Sequence, residues 1–381
     1  MGLYYEFFAG GGMARAGLGP GWSCLFANDI DPKKASTYAQ NWGAENLKVE
    51  DVSNLKSSDL PGTADLAWAS FPCQDLSLAG SGAGLSGKRS GTFWPFWNLI
   101  TDLSKEGRAP PIIVLENVRG ALTSHDGKDF TAIGSKISHT GYRFGALVID
   151  AVHFVPQSRP RLFIVAIDEN YPIPNQLTEH RPQEITFYKT LRKAFTRLPS
   201  DVAGKWVWWK LPLPSGRNTL LSDIIEDEPK AVEWNSFEYT QKILSLMSPI
   251  NLEKVEKAKR ARSRRIGTIY KRTRPDGKGG KIQRAEIRFD DIAGCLRTPA
   301  GGSSRQTIMV VEDGMIRTRL LSPREAARLM GLPDDYQLPC KYNDAYHLAG
   351  DGVVVPVVRH LSEQILESLL AVVMSNQEEA A

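Results

Sequence analysis

Apolar and polar positions follow two different rhythms along this chain. Up to about residue 168, continuous apolar runs at 4–8, 24–28, 66–70, 112–116, 144–150 and 161–166 predict strands. Amphipathic stretches between them, such as 32–42 and 94–103, predict helices. A strand that is apolar at every position is buried on both faces. Strands of that kind separated by helices therefore predict a parallel α/β sheet with helices on both faces. Ligands of such sheets bind at the carboxyl ends of the strands. After residue 168, prolines, aromatics and charges mix without clean periodicity, which predicts a second, smaller and irregular domain. Further on, 322–330 predicts a helix with Ser322 as N-cap, Pro323 in its first turn and Glu325 following. The stretch 353–358 predicts a strand, and 360–374 a closing helix. The expected division is 1–168, completed by 338–381, and 169–337.

Composition narrows this only a little. The 381 residues suffice for two cores, and 42% hydrophobic with 24% charged residues is near the globular average. No apolar stretch is long enough to span a bilayer, and the chain enters its first strand with no basic leader. A cytoplasmic protein without a membrane partner is expected. The four cysteines, Cys24, Cys73, Cys295 and Cys340, show no CxxC spacing, so neither a disulfide framework nor a metal site is expected. The net charge of +4 is modest, but 254–274 reads KVEKAKRARSRRIGTIYKRTR. Such a local basic run fits a polyanionic partner. Trp206-Val207-Trp208-Trp209 is expected to belong to the core of the small domain.

Four motifs carry chemistry, each at the end of a predicted strand or at the start of one. Phe8-Ala9-Gly10-Gly11-Gly12 follows the first strand, and clustered glycines let a ligand approach the backbone. Asp29 lies at the end of the second strand, placed for a ribose hydroxyl pair, and Asp51 follows the next segment. These suit any adenosine-bearing cofactor. Phe71-Pro72-Cys73-Gln74 follows the third apolar run. A cysteine there can be a nucleophile, with Pro72 stiffening the backbone before it. Methylating an amine needs no covalent attack, whereas C5 of a pyrimidine is barely nucleophilic until a thiolate adds at C6. Ile112-Ile113-Val114-Leu115-Glu116-Asn117-Val118 ends in a carboxyl that burial would bring near neutral pKa. Gln157-Ser158-Arg159-Pro160-Arg161 sets two arginines two apart, expected on one face, to hold a base carbonyl or a phosphate.

Taken in order, these motifs resemble the cytosine-C5 DNA methyltransferase family. Phe8-x-Gly10-x-Gly12 is similar to its cofactor loop, Pro72-Cys73-Gln74 to its nucleophile motif, Glu116-Asn117-Val118 to its ENV and Gln157-x-Arg159-x-Arg161 to its QxRxR. Arg319-Leu320-x-Ser322-Pro323-Arg324-Glu325 matches the segment after its recognition region. The resemblance implies a Rossmann-like S-adenosylmethionine methyltransferase sheet with a smaller target-recognition domain. It implies Cys73 as the C6 nucleophile, Glu116 at N3 and the exocyclic amine, and Arg161 at O2, with Asn117 and Arg159 in support. Phe8, Gly10, Gly12, Asp29, Ile30, Asp51, Val52, Pro72, Phe93, Asp351 and Val353 would line the S-adenosyl-L-methionine pocket. One departure stands out: Gly350-Asp351-Gly352-Val353 has Asp351 where the family has asparagine. A carboxylate there opposes the cofactor's own carboxylate but can pair with its ammonium. A smaller departure is Met13, where a further glycine is common.

The implied substrate is a cytosine flipped out of a specific double-stranded DNA sequence, since C5 and C6 are hidden inside a duplex. Gln74, Ser77, Arg89, Arg262, Arg264, Arg265, Arg297, Ser304 and Arg305 are the expected DNA contacts. A monomer is expected, with a cognate restriction enzyme as a functional partner only. Two other readings share the motifs: an RNA cytosine methyltransferase, and a DNA-binding member without activity. The long region between Ala166 and Arg319 favours a sequence-reading DNA enzyme.

Overall fold

Each of the six apolar runs expected as strands before residue 168 forms one, and five further strands appear among the described residues that were not expected. In chain order they are β1 (Gly2–Phe7), β2 (Trp22–Asp29), β3 (Leu47–Val49), β4 (Leu66–Ala69), β5 (Ile112–Val118), β6 (Tyr142–Asp150), β7 (Pro160–Asp168), β8 (Arg265–Pro275), β9 (Lys281–Arg288), β10 (Thr307–Glu312) and β11 (Met315–Leu320). The helices are α1 (Met13–Leu18), α2 (Pro32–Trp42), α3 (Phe93–Lys105), α4 (Lys128–His139), α5 (Tyr188–Phe195), α6 (Ser200–Ala203), α7 (Leu221–Ile224), α8 (Phe237–Ser245), α9 (Pro249–Arg260), α10 (Pro323–Leu329), α11 (Tyr342–Asp351), α12 (Val355–Leu361) and α13 (Glu367–Ala380). The computed structural model describes residues 1–72, 84–87, 90–179, 188–261, 263–275, 280–297 and 305–380.

Contacts divide the chain into two compact units. The first is Met1–Asp150 with Pro160–Ser215 and Gly352–Ala381; the second is Ala151–Arg159 with Gly216–Asp351. These bounds fall at other places than 169 and 338, the division expected from the sequence.

In the first unit, a seven-stranded sheet runs in the order β3-β2-β1-β4-β5-β7-β6. β1 to β5 pair in parallel, while β7 is antiparallel to both β5 and β6. The reason is the short connection 151–159 between β6 and β7, since a parallel crossover takes about a dozen residues or more. β4 is buried along its whole length and β5 at all but its last residue, as expected for the apolar runs Leu66–Ala69 and Ile112–Leu115. Chain order reverses between β1 and β4, the place where open α/β sheets hold ligands.

Two expectations are corrected in this unit. The run 353–358 is not a strand: Val354 caps α12 and Pro356 sits in its first turn, where a proline needs no amide hydrogen. Tertiary packing overrides the β-branched run, because Val358 lies against Gly17 of α1 so closely that a Cβ on Gly17 would be 2.4 Å away. The tryptophans of 206–209 likewise pack into the first unit's core. Trp206 meets the rings of Phe130, Phe144, Phe195 and Trp208, and Trp209 donates Nε1–H to the Val165 carbonyl at 3.1 Å.

The second unit is built on a four-stranded antiparallel sheet, β11-β10-β8-β9. Ile243 and Met247 of the α8 region and Val255 and Ala258 of α9 form a core with Ile269, Ala285, Ile287, Met309 and Val311 of the sheet. The expected capping box of α10 is present: Ser322 accepts from Glu325 N–H at 3.1 Å, and Glu325 accepts from Ser322 N–H at 2.7 Å.

Candidate active site

In the first unit, the carboxyl ends of β1, β2, β4 and β5 lie along one sheet edge, where the parallel register places them. β1 ends on Glu6 and Phe7, and Phe8 then takes a left-handed conformation (φ 58°), uncommon for a residue with a side chain. The loop is fastened to β2: Ala9 N–H donates to the Asn28 carbonyl and Gly10 N–H to Asp29 Oδ2, both at 2.8 Å. Gly10 and Gly12 have positive φ for different reasons. A Cβ on Gly12 would meet Trp42 Nε1 at 2.3 Å, whereas a Cβ on Gly10 would have no atom within 4 Å. Gly12 is packed by its own protein, while Gly10 faces open space that a ligand could fill.

Asp29 is buried, and both its oxygens accept backbone hydrogens, Oδ2 from Gly10 and Oδ1 from Asp31 at 2.8 Å. Burial raises its pKa above the usual carboxylate range. Next to it, Ile30 is 62% exposed, a large apolar side chain left uncovered beside the open face of Gly10. Asp51 is occupied by the N–H and hydroxyl of Ser53 at 2.9 and 2.7 Å, and Val52 is buried. Phe93 is wholly buried, packed on Phe71 and Trp97.

At the end of β5, Glu116 and Asn117 are buried at the same edge. Arg161 Nε lies 3.3 Å from Glu116 Oε1, brought there by the antiparallel register that sets Arg161 opposite Val118. Asn117 turns the other way: its Nδ2 donates to the Phe71 carbonyl at 3.1 Å, two residues before Cys73. Cys73 itself, with Gln74, Ser77, Arg89, Arg262 and Ser304, lies outside the described residues.

The two arginines of the Gln-x-Arg-x-Arg motif fall in different compact units. Only Arg161 belongs to β7. Arg159 precedes the strand in the second unit, where its guanidinium donates to the carbonyls of Leu296 at 3.0 Å and Gly350 at 2.8 Å. Gln157 is a second clasp there, donating to the Leu329 carbonyl at 2.8 Å and accepting from Leu296 N–H at 3.0 Å. Asp351 is the exposed last residue of α11, and Val353 is buried just before α12. Of the other expected DNA contacts, Arg264 pairs with Asp227 at 2.6 Å. Arg265 and Arg297 are exposed, and Arg305 stacks over Tyr342, 5.6 Å from its centroid.

One residue escaped the sequence reading. Glu6 is the acid of an otherwise apolar strand, 1% exposed, and neither carboxylate oxygen has a hydrogen-bond partner among the described residues. Burial pushes its pKa up to about 8, against the pull of Arg15. A charged residue inside a doubly buried strand was the signal. Among the described residues no group of three or more His, Cys, Asp or Glu could hold a metal ion, and no helix is long and apolar enough to cross a membrane.

A family model described as C-5 cytosine-specific DNA methylase matches residues 4–367, nearly the whole chain. The chain belongs to that family. As a member it is a cytosine-C5 DNA methyltransferase. It is 25% identical over 378 residues to Type II methyltransferase M.MspI of Moraxella sp, covering 99% of this chain and 73% of that protein. Against M.HhaI of Haemophilus parahaemolyticus the identity is 23%, covering 96% and 94% of the two chains. Against M.NlaX of Neisseria lactamica it is 27%, covering 96% and 97%. Solved structures similar in fold include the S. pombe Dnmt2 methyltransferase, with TM-score 0.58 at 19% identity, covering 97% of this chain and 99% of that one. A mutant form of Spodoptera frugiperda DNMT2 gives TM-score 0.62 at 17% identity, covering 96% and 100%.

Proposed function

We propose that this enzyme moves a methyl group from S-adenosylmethionine to C5 of a cytosine flipped out of a specific duplex DNA sequence, through a covalent bond between Cys73 and C6. The observation that carries the reading is the cluster at the end of β5. Glu116 is paired with Arg161, while Asn117 ties the same strand end to Phe71, just ahead of Cys73.

The residues of the first unit fit the cofactor. Ile30 offers an uncovered apolar face for an adenine ring, Gly10 leaves the backbone open to approach, and Asp29 and Asp51 stand at the neighbouring strand ends for the ribose. Phe8, Gly12, Val52, Pro72 and Phe93 would shape the pocket wall, with Asp351 and Val353 toward the amino-acid end. When bound, the cofactor supplies an electrophilic methyl group on a sulfonium. The chain's own residues would do most of the rest. The thiolate of Cys73 would add to C6 while Glu116, in its acid form, donates its proton to N3 and accepts from the exocyclic amine of the base. Electron density moved onto C5 then takes the methyl group. Transfer of the C5 proton to a solvent base, with return of the N3 proton to Glu116, would expel the thiolate and restore the ring. Arg161, whose Nε lies 3.3 Å from Glu116 Oε1, would hold O2. Arg159 would support the site from its backbone clasp. Arg264, Arg265, Arg297 and Arg305 would hold DNA phosphates. The proposal carries with it a catalytic part at 1–168 and 338–381, a recognition part at 169–337, a monomer and a cytoplasmic setting.

Bisulfite sequencing of plasmid from cells expressing the protein, beside a Cys73→Ala control, tests this. Protected cytosines in one sequence context, absent from the control, are expected. Unprotected cytosines in both samples would overturn the proposal.

A further inference from the structure

The strands β8 and β9 run on past the sheet that contains them. β10 pairs with β8 only from Arg265 to Ile269, whereas β8 and β9 stay paired as far as Pro275 and Lys281. At the Lys271–Ala285 pair, Ala285 N–H still donates to the Leu246 carbonyl at 3.0 Å; from Arg272 and Arg284 outward the two strands form a ribbon with no third strand beside it among the described residues. Its root is anchored in the core by Ala285 and Ile287. Farther out, Arg272, Thr273, Lys281, Ile282, Gln283 and Arg284 are all exposed. A ribbon open on both faces buries too little apolar surface for packing to account for its residues.

Its charge is one-sided. The segment KRTRPDGKGGKIQR at 271–284 carries six cations against one acid, Asp276. Arg272 and Arg284 stand directly opposite each other across the ribbon, an arrangement of like charges that destabilises an isolated pair of strands. Glu286 answers Arg272, at 3.4 Å. Among the described residues no acidic group pairs with Arg284.

We propose that this ribbon enters the major groove of the DNA substrate and that Arg284 reads a guanine there. The inference rests on the DNA-methylating role proposed above and names the element that selects the sequence. The major groove, roughly 12 Å wide, admits a two-stranded ribbon, and a guanidinium fork matches O6 and N7 of guanine. Arg272, held by Glu286, and Lys281 lie along the same ribbon to meet phosphates, which relieves the opposed charges.

The test is selection of bound sequences from a random duplex library, with wild type, Arg284→Ala, Arg284→Lys and Lys281→Ala. Wild type should select a motif in which one guanine loses its preference in Arg284→Ala, by roughly tenfold or more in affinity, while the other positions persist. Arg284→Lys keeps the charge but not the fork, so it should lose that guanine and retain affinity for unselected DNA. Lys281→Ala should weaken all sequences evenly and lower the salt slope by about 1. An unchanged motif in Arg284→Ala, or an even loss across all sequences in it, would overturn the proposal. A selected motif that the wild type fails to methylate counts against the enzymatic reading and leaves the ribbon standing. Methylation of a motif unaltered by Arg284→Ala does the reverse.

Discussion

Each unit buries a glutamate almost completely, and the two are handled in opposite ways. Glu325, 0% exposed, accepts from both ends of the Arg319 guanidinium at 2.6 and 2.8 Å, and from the backbone of Ser322 and Glu226 at 2.7 Å each. Glu6, 1% exposed, has no partner at full hydrogen-bond geometry among the described residues, and only the backbone N–H of Arg15 pulls on it as a donor. Its nearest cation, Arg15, donates instead to Tyr38 at 3.0 Å and lies over the rings of Tyr38 and Trp42. A carboxylate with a full set of donors is a clasp that fixes the start of α10. One without such a set, at the end of β1 two residues before Phe8, has its pKa pushed up to about 8, because burial disfavours its charge. The difference separates a buried carboxylate that fixes a helix start from one whose burial is left uncompensated.

The strongest way to break the comparison is to remove the clasp. Arg319→Met leaves Glu325 buried beside its backbone donors but without a counter-charge, and should destabilise the protein by about 3–5 kcal/mol in denaturant titration. Adding Glu325→Leu should recover most of the loss, since an apolar pair can replace a buried ion pair. A single-variant loss below about 1 kcal/mol would put Glu325 in the same class as Glu6.

Glu6 supplies a pH dependence of the opposite origin. Its folded pKa, about 8, is above the ordinary value of 4.5. Between those pH values the folded state holds a proton that the unfolded state has released, so stability falls as pH rises through that window and then levels off. Glu6→Gln cannot lose a proton. Its melting temperature relative to wild type should therefore climb from pH 5 to pH 8 and flatten above, by an amount on the order of a few kcal/mol in stability. Asp29, also raised by burial, adds a dependence of the same sign to both proteins. A constant difference across that range would mean that Glu6 is ionised and partnered in the fold.

Much of this was readable in the sequence, for a physical reason. Doubly buried strands such as β4 and β5 need apolar residues at every position, so their place and their polar ends at Glu116 and Asn117 stand out from neighbours. The Ser322–Glu325 capping box is local and legible in the same way. What depends on distant partners was not. The run at 353–358 reads as a strand until its packing against Gly17 is known. The tryptophans of 206–209 gave no sign that they would pack in the core of the first unit with Phe130 and Phe144. Gln157-x-Arg159 gave no sign that it would clasp the carbonyls of Leu296, Leu329 and Gly350. In the opposite direction, Glu6 was visible as the one charge in β1, but its lack of a partner is a property of the folded surroundings.

The mildest test sharpens the comparison within a single loop. Gly10 and Gly12 both sit at positive φ, so an alanine at either is strained by about 1 kcal/mol. They differ in what the new methyl group meets. At Gly12 it collides with the Trp42 ring at 2.3 Å, so Gly12→Ala should add a packing loss of about 1–3 kcal/mol, read in thermal unfolding. At Gly10 it meets no protein atom within 4 Å, so Gly10→Ala should unfold only slightly earlier than wild type. The same methyl group would fill the space proposed for the cofactor, and calorimetry should show S-adenosylmethionine affinity falling at least tenfold in Gly10→Ala. Unaltered affinity there would mean that the open face of Gly10 is simply solvent.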